Sequence, residues 1–521
     1  MSLKMNHVKK NTSGKAQLLM NHISSYIGGF LRKVGSLAFL MMLLISMPIK
    51  AQQIDTTSTS KILEENNSLA LTEAIKVALA NNSEIKRSLF DLKIADEEVA
   101  KAWSSVLPDV TATAGYTRNL ELPVFFFPQN PNDPNSPLRA IPVGEDNNWQ
   151  GNLSVEQTLF RGEAFVGISS SKVFKEAQAE NLRATTQQIV TQTRLAYYNV
   201  LVAKEQLRLQ QATVNRLKEN LKENKARLKA GLIDEYAVLQ VEVQLKNQEP
   251  QLSEARYAVQ QAYRELKIVL GVPLSVNFSV QGDLNAFDVT AQKVSNETNK
   301  NIKRVDNMTP YQFNKQSDMV DVATDLRGDI RIIETQNQLK NREIKAIKSR
   351  FLPSLTASYN LGWRAEEPGT PTFFGNDRRR VRTQTFGLNL SIPIFQGFER
   401  TANLDIAQIE KKDLEEQERA AIRSAKNEIQ SAKESLNQAI ETAPVRQQAL
   451  ELAREGYQRA QARLENGLGS QLDVTNAELQ LREAEANYAR MVFNYLSAKA
   501  QYDQAIGMVP FVDNDKPSLN E

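Results

Sequence analysis

Apolar residues recur at every seventh position along two long stretches of the chain. In the first stretch they are Val200, Leu207, Val214, Leu221 and Leu228; in the second they are Leu436, Ala443, Leu450, Tyr457 and Leu464. A seven-residue period keeps one helix face against a partner over many turns, so each series predicts a long coiled rod. Between Phe165 and Ala230 there is no proline, and Gly167 is the sole candidate breaker. At about 1.5 Å per residue, such a helix is about 100 Å long. Each rod ends in a glycine-bearing turn, Ala230-Gly231-Leu232-Ile233-Asp234 in one and Asn466-Gly467-Leu468-Gly469-Ser470 in the other. A return helix follows, reaching about Leu270 or Ile506.

The two stretches are copies. A constant offset of 236 positions, the interval from Gly231 to Gly467, also carries Leu232 onto Leu468, Glu242 onto Glu478, Gln244 onto Gln480 and Gly271 onto Gly507. Shared composition alone does not place glycines at matched turns, so the chain is read as an internal duplication.

The period changes upstream of each rod. A helix opens at Leu69 and is expected to run to about Val106, where Leu107-Pro108 ends it; its counterpart runs from about Asp318 to Phe351 and stops at Leu352-Pro353. Alternation follows. Val110, Ala112, Ala114 and Tyr116 alternate with Thr111, Thr113 and Gly115, and Leu355, Ala357, Tyr359, Leu361 and Trp363 alternate with Thr356, Ser358, Asn360 and Gly362. Partner strands carry Leu153, Val155, Gln157 and Leu159, and Phe386, Leu388, Leu390, Ile392 and Ile394. These predict strands of about nine or ten residues with one apolar and one polar face, long enough to cross a bilayer when tilted. Trp149 and Trp363 near the strand ends, and Trp103 just before the first strand, are the expected aromatics of a membrane interface. The loops at 118–148, rich in proline with Phe125-Phe126-Phe127, and at 364–384, with Arg378-Arg379-Arg380, are expected to be irregular and exposed.

The resulting organisation is a signal peptide at 1–51, a polar lead at 52–68, a first repeat at 69–275 with its tip at 230–234, and a linker or equatorial collar at 276–317. A second repeat follows at 318–508 with its tip at 466–470, and then a tail at 509–521. The signal peptide is read from Arg32-Lys33, the apolar run Val34 to Ile49 and Ala51. It changes the charge picture. Setting aside the seven basic residues before position 52 leaves 57 basic against 61 acidic, a net charge near −4, so the overall value of +3 is no argument for nucleic acid.

His7 and His22 both lie in that leader and the chain has no cysteine. A Ser-His or Cys-His nucleophile and a His/Cys zinc site are thereby excluded from the remainder, and no nucleotide-binding loop is present. The expectation is a protein without enzymatic activity, catalytic residues, cofactor or metal. No apolar run after the leader is long enough for a membrane helix, so any crossing must be made by strands. Four strands cannot close a barrel alone, which predicts oligomerisation.

This order of elements, together with the Gly-Leu turns and the Leu270-Gly271-Val272-Pro273 close, resembles the outer membrane efflux protein family of TolC-like channel-tunnels. The resemblance covers about 69–275 and 318–508. It implies an α+β fold in a homotrimer: duplicated long-helix hairpins form an α-helical barrel, and four amphipathic strands per protomer complete a twelve-stranded outer-membrane β-barrel. The half-length helices would stack end to end beside the rods. It also implies a passive exit route from the periplasm through the outer membrane, for substrates delivered by an inner-membrane RND-type or ABC-type transporter through a periplasmic adaptor. Efflux of drugs and toxic compounds is the leading function, the duct of a type I protein secretion system an alternative, and a secreted coiled-coil scaffold an alternative of another class. Gly231, Leu232, Ile233, Gly467 and Leu468 would dock the adaptor. Asp473 and Asn476 would form the periplasmic entrance, while Ala237, Leu464 and Gly469 depart from the charged or aromatic residues that lock the family's type member.

Overall fold

The structure, a computed structural model, describes residues 68–129, 136–284, 326–371 and 379–509. The expected signal peptide, most of the polar lead and collar, the start of the second short helix at Asp318 and the tail lie outside the described residues. Arg378 and the crests of both strand loops also lie outside them.

Helices α1 (Leu71–Asn81) and α2 (Ser83–Ser104) precede strand β2 (Asp109–Arg118). One continuous helix was expected here. The chain instead breaks at Asn82, whose side chain accepts hydrogen bonds from the Glu84 and Ile85 backbone N–H groups and so caps α2. Periodicity could not show this break, because an N-cap asparagine costs the apolar pattern only one position. Helix α3 (Gly162–Lys229) has 68 residues, and α6 (Glu399–Glu465) has 67. The return helices are α4 (Glu235–Leu270) and α7 (Gln471–Ala505); the second short helix is α5 (Gly328–Ser349). Pro250 inside α4 and Pro444 inside α6 interrupt neither. Ala443, next to Pro444, is buried in the seam, where tertiary packing offsets the lost backbone hydrogen bond.

The seven-residue series are the packing seams. Val214 and Leu217 of α3 bury against Val241, Leu245 and Leu252 of α4, and Leu450 and Tyr457 of α6 bury against Val474 and Leu481 of α7. The duplication offset carries Val214 onto Leu450 and Leu245 onto Leu481. Above these seams a larger core joins the copies: Val190, Tyr197, Tyr198 and Leu201 of α3 meet Ile75 of α1, Leu266 and Leu270 of α4, and Val492, Tyr495 and Leu496 of α7. Within that region Arg194 is fully buried and its guanidinium donates to Asp503 at 2.8 Å, across 309 positions of sequence.

The short helices meet the return helices end to end, and glycine permits it. Gly271 has φ +69°, and a Cβ there would lie 2.6 Å from the Asn81 carbonyl oxygen; Gly507 has φ +70°, and a Cβ there would lie 2.8 Å from the Leu326 carbonyl carbon. Asn82 Nδ2 donates to Val269 O at 2.8 Å across the first junction. At the second, Gln187 Nε2 donates to both Leu326 O and Gly507 O at 3.0 Å. Of the short strand considered over Val276 to Val280, only β6 (Ser279–Val280) forms, parallel to β1 (Ser68–Leu69). Tyr197 Oη fastens it, donating to Leu69 O at 3.0 Å or to Gln281 O at 2.5 Å.

Strands β2, β5 (Asn147–Phe160), β7 (Ser354–Glu367) and β8 (Arg379–Ser391) form one antiparallel sheet in the order β2-β5-β7-β8. The last three have 14, 14 and 13 residues, longer than alternation alone suggested. Their extensions run into the expected loops, where the polar run hides the strand period. The first loop is not irregular throughout: β3 (Val124–Pro128) pairs with β4 (Leu138–Pro142), and the three phenylalanines face Arg139, Ala140 and Ile141 across a hairpin.

Candidate functional site

Two ends of the fold carry the candidate chemistry. At the sheet end, register decides which side chains share a face. Val110 pairs with Val155, Val155 with Tyr359 and Tyr359 with Phe386; Leu153 pairs with Leu361, and Leu355 with Leu390. Directly paired residues lie on the same side of a sheet, so the paired apolar residues of all four strands form one face; Leu159 falls at the bulge between Thr158 and Phe160, and Ile392 and Ile394, expected in the last strand, lie beyond its end at Ser391. The opposite face carries Thr111, Ser154, Asn360 and Thr385 in another such row. Phe386, Leu388 and Leu390 are exposed, and β2 and β8 are edge strands with unpaired outer ladders. An apolar face of this size bounded by two open edges is incomplete as a soluble surface.

Trp149 and Trp363 lie on the apolar face toward the loop end, Trp149 with its ring 5.1 Å from that of Tyr116. Tyr116 Oη donates to Asn147 Oδ1 at 2.8 Å, anchoring the pair. Trp103 is placed differently, exposed on the last turn of α2 at the helix end of the sheet. From Leu355 to Trp363 the strand spans about 27 Å, comparable to the apolar band of a membrane barrel.

At the other end are the two turns. Both are Schellman closures: Leu232 N–H donates to Arg227 O at 3.0 Å and Gly231 N–H to Leu228 O at 2.9 Å, while Leu468 N–H donates to Arg463 O at 2.8 Å and Gly467 N–H to Leu464 O at 3.1 Å. Gly231 and Gly467 supply the positive φ, +73° and +72°. Leu232 and Leu468 are left 74% and 72% exposed, and Ile233 is half-buried.

The return helices are capped by different residues. Asp234 Oδ1 accepts from Ala237 N–H at 3.0 Å. On α7, Ser470 and Asp473 form a reciprocal capping box, Asp473 Oδ2 accepting from the Ser470 N–H and hydroxyl, both at 2.9 Å. These bonds, backbone first, hold the Asp473 carboxyl below its ordinary range, with a smaller contribution from Arg463. Asn476 is exposed three residues further along α7.

Sequence reading missed the polar fastening between the two hairpins. Arg216 of α3 reaches Glu478 at 3.5 Å and Glu485 at 3.7 Å, both on α7, and its guanidinium lies 6.0 Å from the Tyr457 ring. Asn224 Nδ2 donates to Gln471 Oε1 at 3.0 Å. Burial raises Glu478 above its ordinary range, against the pull of Arg216, and burial likewise pushes Tyr457 up to about 12. The one available signal was Glu478 itself, already matched to Glu242 by the duplication.

The chain matches the sequence profile described as outer membrane efflux protein over residues 74–272 and 320–508, which takes in both repeats. The chain belongs to the outer membrane efflux protein family. It is 22% identical to outer membrane protein TolC of Vibrio cholerae serotype O1 over 454 residues, covering 87% of this chain and 92% of that protein. It is also 22% identical to the alkaline protease secretion protein AprF of Pseudomonas aeruginosa over 372 residues, 71% of each chain. In fold it is similar to the open-state crystal structure of the Neisseria gonorrhoeae MtrE outer membrane channel, with a TM-score of 0.65, 18% identity and coverage of 84% of this chain and 88% of that one. The protein is therefore an outer-membrane exit channel extending into the periplasm, and not an enzyme. None of its described helices is long and apolar enough to cross a membrane.

Proposed function

We propose that this channel works as a homotrimer in which three four-stranded sheets close edge to edge, β8 of one copy against β2 of the next. The observation that carries this reading is the sheet, with an apolar and a polar face and two open edges. Four strands fall short of the eight of the smallest outer-membrane barrels, and the family resemblance selects three copies and twelve strands. Lipid then covers the apolar face, Trp149 and Trp363 mark one membrane interface, Trp103 lies at the other, and the Thr, Ser and Asn rows line a wet bore. The helical hairpins continue the duct through the periplasm.

At its far end, the exposed leucines of the Gly231 and Gly467 turns dock a periplasmic adaptor, which joins the channel to an inner-membrane transporter of the RND or ABC class. Asp473 and Asn476 stand at the entrance. The leading substrate class is drugs and other toxic compounds. A protein secretion duct is the second reading, favoured by the likeness to a protein named for alkaline protease secretion. Deletion of the gene is expected to raise sensitivity to dyes and detergents; unchanged sensitivity with loss of a secreted protein would replace the first reading by the second. In planar bilayers, Asp473→Asn is expected to weaken cation selectivity and block by multivalent cations. Unaltered behaviour on both counts would remove Asp473 from the entrance.

A further inference from the structure

Both long helices begin where the sheet ends, α3 after β5 and α6 after β8, and a cavity of about 680 Å³ lies at that junction. Its wall carries three guanidinium groups, Arg161, Arg350 and Arg400, and two carboxylates, Glu163 and Glu399. Arg350 donates to Glu163 at 2.9 Å, so those two charges offset each other. Arg400 has neutral company: its Nε donates to Gln396 Oε1 at 2.9 Å and its guanidinium lies 5.7 Å from the Phe351 ring. The Arg161 side chain has no hydrogen-bond or ion-pair partner among the described residues. Two arginines therefore stand against Glu399 alone, and the amino ends of α3 and α6 each add about half a positive charge. The cavity is short of negative charge.

Its rim is apolar. Ile392 and Phe395 line it and are exposed, and Phe398 stacks edge-on against Phe395 at 5.4 Å between centroids. Ile392 directly follows the end of β8, whose Leu390 and Leu388 are likewise exposed. A soluble anion would satisfy the arginines and leave that rim in water. An amphiphile with an anionic head satisfies both, since guanidinium forks match phosphate oxygens and the exposed ring and branched side chains match acyl chain.

We propose that this cavity seats the phosphodiester headgroup of an anionic phospholipid from the leaflet bordering the helices, with Arg161 and Arg400 on the phosphate and the acyl chains along Ile392 and the β8 leucines. This rests on the reading of the sheet as the membrane-crossing element. The site fixes the depth at which the sheet gives way to the helices.

The test uses the full-length channel, purified in detergent and stripped of lipid, with native mass spectrometry after addition of phosphatidylglycerol or phosphatidylcholine of equal chain length. Wild type is expected to retain phosphatidylglycerol in preference by about tenfold, because the choline cation of phosphatidylcholine cancels the phosphate charge beside the two guanidinium groups. Arg161→Gln/Arg400→Gln is expected to bind the two lipids alike while keeping its helical circular dichroism. Arg423→Gln, exposed on α6 and away from the cavity, keeps the preference. Equal retention of both lipids by wild type would overturn the site, as would displacement of phosphatidylglycerol by an equal concentration of glycerol phosphate, which would mark a pocket for soluble phosphoesters. Bilayer conductance separates the two levels: a wild-type channel that conducts without headgroup preference removes only the lipid site, whereas one that neither inserts nor conducts removes the membrane reading.

Discussion

The two helical hairpins have the same closure and different fastenings. Each has a buried apolar seam between rod and return helix, and each reverses through a glycine at φ near +72° with an exposed leucine beside it. The first rod then carries Arg216, which reaches across to two glutamates of the second hairpin. The equivalent position on the second rod is Leu452, 61% exposed. Duplication thus preserved what each hairpin needs to fold, and the copies diverged where a hairpin meets something other than itself. Arg216 meets its partners within the chain, whereas Leu452 faces outward.

The largest expected effect breaks the shared part. Leu450→Ala empties a buried seam position, 6% exposed, and should cost about 2–4 kcal/mol, seen as a lower midpoint in thermal circular dichroism. Leu452→Ala, two residues away, should stay within about 0.5 kcal/mol in a monomeric form. A large loss for Leu452→Ala only in the assembled protein would show that another copy buries it.

Arg216→Leu makes the first rod like the second. It takes from buried Glu478 its hydrogen-bonded cation, leaving the weaker field of Arg482, and with both partners slightly open to solvent the cost should be about 1–3 kcal/mol. Adding Glu478→Leu should recover part of that loss, with Glu485 still lacking its partner; an additive double variant would mean that the pair is not coupled. Gly231→Val and Gly467→Val should each cost about 1–2 kcal/mol, because a β-branched residue is strained at positive φ. Unequal losses would break the equivalence of the two turns.

The smallest effects are those of pH, and they have opposite signs on one helix. Asp473 has a lowered folded pKa, so its contribution is present above the unfolded value of 3.8 and is lost as pH falls below it. Glu478 has a raised folded pKa, so the folded state holds its proton longer and stability declines as pH climbs above 4.5. Melting midpoints of Asp473→Asn should fall further below wild type as pH rises from 3 to 5, whereas the difference between wild type and Glu478→Gln should shift against wild type above pH 4.5. The same sign for both would contradict the capping box or the burial of Glu478.

Much of the fold was legible because its signals are local and repeated. The seven-residue series, the glycine turns, the prolines after the short helices and the strand alternation each describe one element facing one neighbour, and the duplication states each of them twice. Asn82 was not legible as a break, since capping asparagine and helical asparagine look alike until the Val269 carbonyl is known to lie opposite. The β3–β4 hairpin was hidden by the six prolines in and around its strands, which read as loop. The reversals at Gly231 and Gly467 were legible from turn chemistry, whereas Arg216, Asn224 and Gln471 resemble any solvated face of a charged helix.

Sequence alone determined the family, the duplicated hairpins, the positions of the turns and the two faces of the four strands of the main sheet, because backbone preference and apolar period act within a few residues. Only the tertiary structure decided that β5 of one repeat lies beside β7 of the other, that Arg194 is buried beside Asp503, that Arg216 bridges the hairpins, and that two helix starts and three arginines share one cavity. Those are meetings of residues up to 309 positions apart. No local preference records them, since the free energy that selects them arises only when separate elements exclude water from one another.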